Sequence, residues 1–214
     1  MVGIFDSGVG GYNSLRELRR SRDKVDIIYL ADYKNAPYGV KTKKELIPII
    51  SDNIKRLISL GCERVLVACC TASAMLYYLP QELRAVASGV IEPTLAEIDR
   101  SGARRAALIA TDRTVSEGAF SAAGCEIVGI KAQRLVDIVE RREWSSPYID
   151  ELIDKIKAAS PDALILGCTH FSHLLERFKR EIPDVRIFSP ANIGAFAFSG
   201  EINNFGEGRI EYIQ

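Results

Sequence analysis

Two stretches of this chain share one pattern, and it restricts the fold more than any other feature. Val65-Leu66-Val67-Ala68 runs directly into Cys69-Cys70-Thr71-Ala72-Ser73, and Ala163-Leu164-Ile165-Leu166 runs into Gly167-Cys168-Thr169-His170. A short unbroken run of branched and small apolar residues, ended by polar punctuation, reads as a strand buried on both faces in a parallel sheet. Each run therefore delivers a cysteine and a threonine to the carboxyl end of a strand. That is where open α/β sheets bind their ligands.

The rest of the chain fits this frame. Strands are expected at 2–5, 25–31, 65–68, 89–91, 106–110, 126–130, 163–166 and 185–188, with an edge strand at 209–213. Helical patterns lie between them. One runs through Leu15 and Leu18 to about Arg20, and one through Leu46, Ile50 and Leu57 to Gly61, a good residue just past a helix end. Pro48 requires that second helix to begin close before it or to kink there. Further helices are expected from Ala72, from Glu92-Pro93, after Thr114 to Ala123, over 135–139, from Ser146-Pro147 to Ala158, and over 171–182. The pattern restarts after roughly a hundred residues, the size of a compact domain. This predicts an α/β fold of two pseudo-symmetric parallel-sheet domains, 1–91 (completed by about 190–214) and 92–189. Facing one another, they would place Cys69 and Cys168 on opposite walls of one cleft.

Composition excludes several other roles. Lysine plus arginine equal aspartate plus glutamate at 28 each, so no overall field advertises nucleic acid or an anionic membrane. The Arg16, Arg19, Arg20, Arg22 cluster reads as a solvated helix face, and no apolar run approaches the ~20 residues of a membrane span. Five cysteines without framework spacing, and no secretory leader pattern at the N-terminus, point to reduced thiols in a cytoplasm. Cys62 and Cys125 read as small buried hydrophobes. Cys168-x-His170-x-x-His173 has no second ligand pair at zinc spacing, and Gly8-Val9-Gly10-Gly11 lacks the Gly-Lys-Ser/Thr of a phosphate loop.

Two opposed thiols suit one kind of chemistry. Removing a proton from one face of a tetrahedral carbon and returning it to the other takes two groups, one per face, exchanging acid and base states each turnover. A helix N-terminus favours a thiolate, and both cysteines lie just before an expected helix. Helix N–H groups, with the Thr71 and Thr169 hydroxyls, could hold a substrate carboxylate.

The ordered motifs Asp6-Ser7-Gly8-Val9-Gly10-Gly11, Pro37-Tyr38-Gly39, Ala68-Cys69-Cys70-Thr71-Ala72-Ser73-Ala74, Val90-Ile91-Glu92-Pro93 and Leu166-Gly167-Cys168-Thr169-His170-Phe171 carry a resemblance. The chain resembles the glutamate racemases of the cofactor-independent aspartate/glutamate racemase family, over roughly residues 1–190. The resemblance implies interconversion of L- and D-glutamate without pyridoxal phosphate or metal, supplying D-glutamate for peptidoglycan, in a chain expected to form a homodimer. It implies Cys69 and Cys168 as the catalytic acid/base pair, with Asp6, His170 and Glu140 beside them in the catalytic set. Asp6, Ser7, Tyr38, Gly39, Cys70, Thr71, Thr169 and His170 would contact substrate. Cys70 stands where the family has asparagine, so a thiol, weak as donor and as acceptor, replaces an amide. Ser172 and His173 replace a proline and an apolar residue. Taken singly, Asp6 also fits a helix cap, Tyr38 an exposed loop aromatic, Glu140 a surface acid, and Cys70 a bystander pointing away. Two other functions suit the same cleft: racemisation or isomerisation of another acid such as aspartate, and non-catalytic binding of an acidic metabolite.

Overall fold

A computed structural model of the chain describes residues 1–214. The first half runs β1 (Val2–Asp6), α1 (Tyr12–Ser21), β2 (Ile27–Ala31), α2 (Lys43–Ser59), β3 (Arg64–Val67), the single-turn α3 (Cys70–Ser73), α4 (Gln81–Arg84), β4 (Ala87–Gly89) and α5 (Ile91–Ser101). The second runs β5 (Arg105–Ala110), α6 (Asp112–Ser116), β6 (Glu126–Lys131), α7 (Gln133–Glu140), α8 (Pro147–Ala158), β7 (Ala163–Gly167), α9 (Leu175–Glu181) and β8 (Arg186–Phe188). Helix α10 (Pro190–Ser199) and strand β9 (Ile210–Ile213) close the chain.

The strands form two all-parallel sheets, β4-β3-β1-β2-β9 and β6-β5-β7-β8. In the first, β1 lies between β2 and β3, with β4 outside β3. In the second, β5 lies between β6 and β7, with β8 outside β7. The halves therefore repeat one topology, and β3 and β7 hold equivalent places in it. The expected edge strand is β9, added to the β2 side of the first sheet.

Side chains alternate across each strand, so each sheet separates two apolar layers. Phe5, Ile28, Leu30, Val65 and Val67 face α2, while Ile4, Ile27, Tyr29 and Leu66 face α1 and α10. In the second sheet Ile109, Leu164 and Leu166 pack on α7 and α8, and Ala106, Leu108 and Ile165 pack with Ile98 of α5. Burial on both faces is what the unbroken apolar runs require.

Local chemistry sets most helix ends. Thr42 and Glu45 form a capping box, the Thr42 N–H donating to Glu45 Oε2 at 2.8 Å and the Glu45 N–H to Thr42 Oγ1 at 3.3 Å. The helix thus starts at Lys43, and Pro48 lies within it. Gly61, at φ +91°, lies just past its end.

Five expectations change. The short strand expected at 89–91 is β4 at Ala87–Gly89, because Ile91 already begins α5. The helix after Cys69 is one turn, and the one after Thr111 ends at Ser116. The segment expected as a helix over 171–182 begins as a 3-10 helix, Thr169–Leu174, before α9. Helix α10 was not expected: apolar on most of its faces, it gives no amphipathic period to read. It packs against both α1 and α5, and Ser14 Oγ donates to the Ala191 carbonyl at 2.8 Å.

Candidate active site

The carboxyl ends of the two sheets meet at one cavity. Cys69 is the N-cap of α3, directly after β3, and Cys168 is the N-cap of the 3-10 helix after β7. Both thiols line the cavity, together with Ser7, Tyr38, Gly39, Cys70, Thr71, Glu140, Thr169 and His170. Of the expected site residues only Asp6 is missing from the wall; it is fully buried at the end of β1. A water centre can occupy about 30 Å3 of the cavity. That is room for about two waters.

The two thiols have unlike neighbours. Cys69 Sγ lies 3.6 Å from Ser7 Oγ. Cys168 Sγ lies 3.7 Å from His170 Nδ1, and His170 Nε2 lies 3.2 Å from Glu140 Oε1. A carboxylate at Nε2 favours the tautomer with the proton there, leaving the Nδ1 lone pair toward the Cys168 thiol. His170 is almost fully buried, while the Glu140 side chain is 53% exposed, so the carboxylate connects the buried ring to solvent.

Electrostatics here run against the expectation from helix ends. Burial pushes the Cys69 thiol up to about 11, and the Asp6 charge adds to this; the Ala72 and Thr71 N–H groups and Ser7 pull it down. Burial raises Cys168 further, against the His170 backbone N–H. Both thiols are therefore held protonated near neutrality. The helices after them are a single turn and a 3-10 segment, so desolvation outweighs their N-terminal dipoles. Burial also raises the Asp6 carboxyl, against the nearby His170 ring and the Gly8 N–H. The Gly8 N–H donates to Asp6 Oδ1 at 2.9 Å, while Oδ2 has no partner.

The substrate-side residues divide in their roles. Tyr38 is 2% exposed, and its hydroxyl donates to Asp32 Oδ2 at 2.6 Å, with Asn53 Nδ2 3.2 Å from the Tyr38 oxygen. Its ring lines the cavity, and its hydroxyl is committed elsewhere. Gly10 and Gly39 are close-approach points: a Cβ on Gly10 would sit 2.2 Å from Thr169 Oγ1, and one on Gly39 would sit 1.9 Å from Gln133 Oε1. Cys70 lines the cavity while packing into the α1/α10 layer, whereas Cys69 packs into the α2 layer. Cys62 is buried in the α2 layer and Cys125 is half-buried; all five thiols are free.

Thr71 spans the cleft. Its Oγ1 lies 2.9 Å from Thr111 Oγ1 and 3.1 Å from Thr114 Oγ1, and Thr111 lies 2.9 Å from Thr114. Thr111 and Gln133 are wall residues that the motifs did not single out. Thr111 had a signal in the repeat, since it follows β5 as Ser7 and its neighbours follow β1. Gln133, the first residue of α7, had none. No group of three or more His, Cys, Asp or Glu side chains is placed to hold a metal ion.

The chain is similar to known proteins in both sequence and fold. The profile of the Asp/Glu/Hydantoin racemase family matches residues 7–197. A glutamate racemase of Desulforudis audaxviator is 36% identical over 203 residues, covering 89% of this chain and 74% of its own. The crystal structure of glutamate racemase from Thermus thermophilus, in complex with beta-chloro-D-alanine, is 29% identical with a TM-score of 0.84, covering 99% of this chain and 86% of that one. Glutamate racemase from Aquifex pyrophilus is 28% identical with a TM-score of 0.85, covering 100% and 89%.

Proposed function

The chain belongs to the Asp/Glu/hydantoin racemase family, and from that premise we propose that it is a glutamate racemase working by proton transfer between Cys69 and Cys168. One observation carries the two-thiol mechanism: the cysteines follow topologically equivalent strands and line a single cavity. An amino acid held between them presents one face of its Cα to each sulfur.

In one direction the Cys69 thiolate takes the Cα proton while the Cys168 thiol protonates the opposite face; the reverse reaction exchanges these states. Burial and Asp6 hold Cys69 protonated in the free chain. A substrate ammonium in the cavity brings a positive charge near Cys69, offsetting the Asp6 charge that the thiol feels, and so favours the thiolate. His170, positioned by Glu140, serves Cys168 by accepting and returning its proton. Ser7, Thr71, Thr169, Cys70 and the Tyr38-Gly39 backbone line the substrate's seat.

The units carrying these walls are 1–91, completed by about 190–214, and 92–189. The product's place is the supply of D-glutamate for peptidoglycan, in the cytoplasm where unpaired thiols persist, in a homodimer. The test is incubation with L-glutamate in heavy water, following deuterium at Cα and optical rotation. Deuterium incorporation with loss of rotation is expected; exchange with aspartate but not glutamate would reassign the substrate, and exchange with neither would overturn the reading.

A further inference from the structure

The cavity wall contains no lysine and no arginine. A site for an amino dicarboxylate must therefore hold its carboxylates with neutral donors. Two of the hydroxyls on that wall are already engaged. Thr71, Thr111 and Thr114 lie within 3.1 Å of one another in a closed triangle. With its three O–H protons pointing around the ring, such a triangle leaves only lone pairs outside. In that arrangement Thr71 and Thr111 offer a carboxylate no donor until the ring opens.

Gln133 is the one carboxamide on the wall, and neither end of its amide bonds to the protein. Oε1 is buried without a partner. It fits the notch left by the absent side chain of Gly39, where a Cβ would lie 1.9 Å from it and 2.6 Å from Thr111 Cβ. No bond within the chain occupies the Nε2 group of this wall residue, so its two N–H donors are free for a ligand. This corner, formed by Gly39, Thr111 and Gln133, differs from the one where Thr169 and His170 meet Gly10. The reacting carbon belongs between the sulfurs, so the Gln133 corner is left for the group at the far end of the substrate.

We propose that Gln133 is a specificity-determining residue, whose amide N–H groups hold the substrate's side-chain carboxylate and match it to glutamate. The proposal rests on the glutamate racemase reading. An amide stays neutral at every working pH, so the contact depends on where the carboxylate lies rather than on titration.

The experiment compares wild type with Gln133→Leu and the isosteric Gln133→Glu, each checked by thermal melting, using Cα deuterium exchange with glutamate and with glutamine. Gln133→Leu is expected to lower kcat/KM for glutamate roughly tenfold or more, as loss of a hydrogen bond to a charged group predicts. Gln133→Glu places like charges together, so the ratio of glutamine to glutamate exchange rises in it. A purely structural role would lower both substrates alike. Glutamate kinetics within about twofold of wild type in both variants, or equal losses with both amino acids, overturns the assignment while the racemase reading stands. Wild type that exchanges no glutamate overturns the racemase reading, and this assignment with it.

Discussion

Asp6 is a fully buried carboxyl at the edge of the candidate site. Burial raises its carboxyl above the ordinary value, so the folded chain binds that proton more tightly than the unfolded chain does. Its contribution is complete below the unfolded carboxyl's value and is lost as pH rises through the folded value. Asp6→Asn is therefore expected to raise Tm at about pH 8, by roughly 2–4 °C for each kcal/mol recovered, with the gain gone near pH 3. Equal melting points at the higher pH would contradict this. With the Cys69 thiol at about 11, its thiolate increases about tenfold per pH unit near neutrality. The profile of kcat/KM should climb accordingly between about pH 6.5 and 8.5, and a flat profile would count against Cys69 as a base. Cys69→Ser and Cys168→Ser should each abolish racemisation, yet allow solvent exchange from the one enantiomer whose proton faces the remaining thiol. The strand-end cysteines were legible in sequence because apolar runs and a repeated Cys-Thr pair mark them. Their raised pKa was not, because desolvation depends on what packs over a thiol, and no local pattern records that.

At the level of elements, buried strands were readable and short helices were not. An unbroken run such as Val65 to Ala68 carries its own evidence of two-sided burial. A single turn such as α3 is too short for a period, and α10 is apolar on too many faces to have one. The contacts that fix the loops are equally tertiary. Tyr38, which alone fits an exposed aromatic, is held by Asp32 from the end of β2 and Asn53 from α2. Tyr38→Phe should destabilise the chain by about 1–3 kcal/mol in urea unfolding, since it removes a buried bond to a carboxylate. A loss below a few tenths of a kcal/mol would mean that Asp32 is served fully by Asn35 and Asn53.

For the whole molecule the narrowness of the cleft is decisive. Room for about two waters is less than glutamate fills, so the walls or the side chains on them must give way for substrate to enter. Gly39 tests this, because any side chain there drives against Gln133 and Thr111 across the gap. Gly39→Val should wedge the walls apart, lowering kcat about a hundredfold or more. Cysteine alkylation should also become faster in that variant; unchanged turnover would show that closure is not required. The repeat that pairs β3 with β7 makes the backbone nearly symmetric, but the walls are chemically unequal: a serine stands beside one sulfur, and a histidine and a glutamate stand behind the other. Mirror-image amino acids have equal free energies in water, so their equilibrium constant is one. The Haldane relation then makes kcat/KM identical in the two directions, however different the acids and bases are. The asymmetry of the walls can appear only as compensating differences in kcat and KM taken separately, with one enantiomer held longer and turned over more slowly than its mirror image.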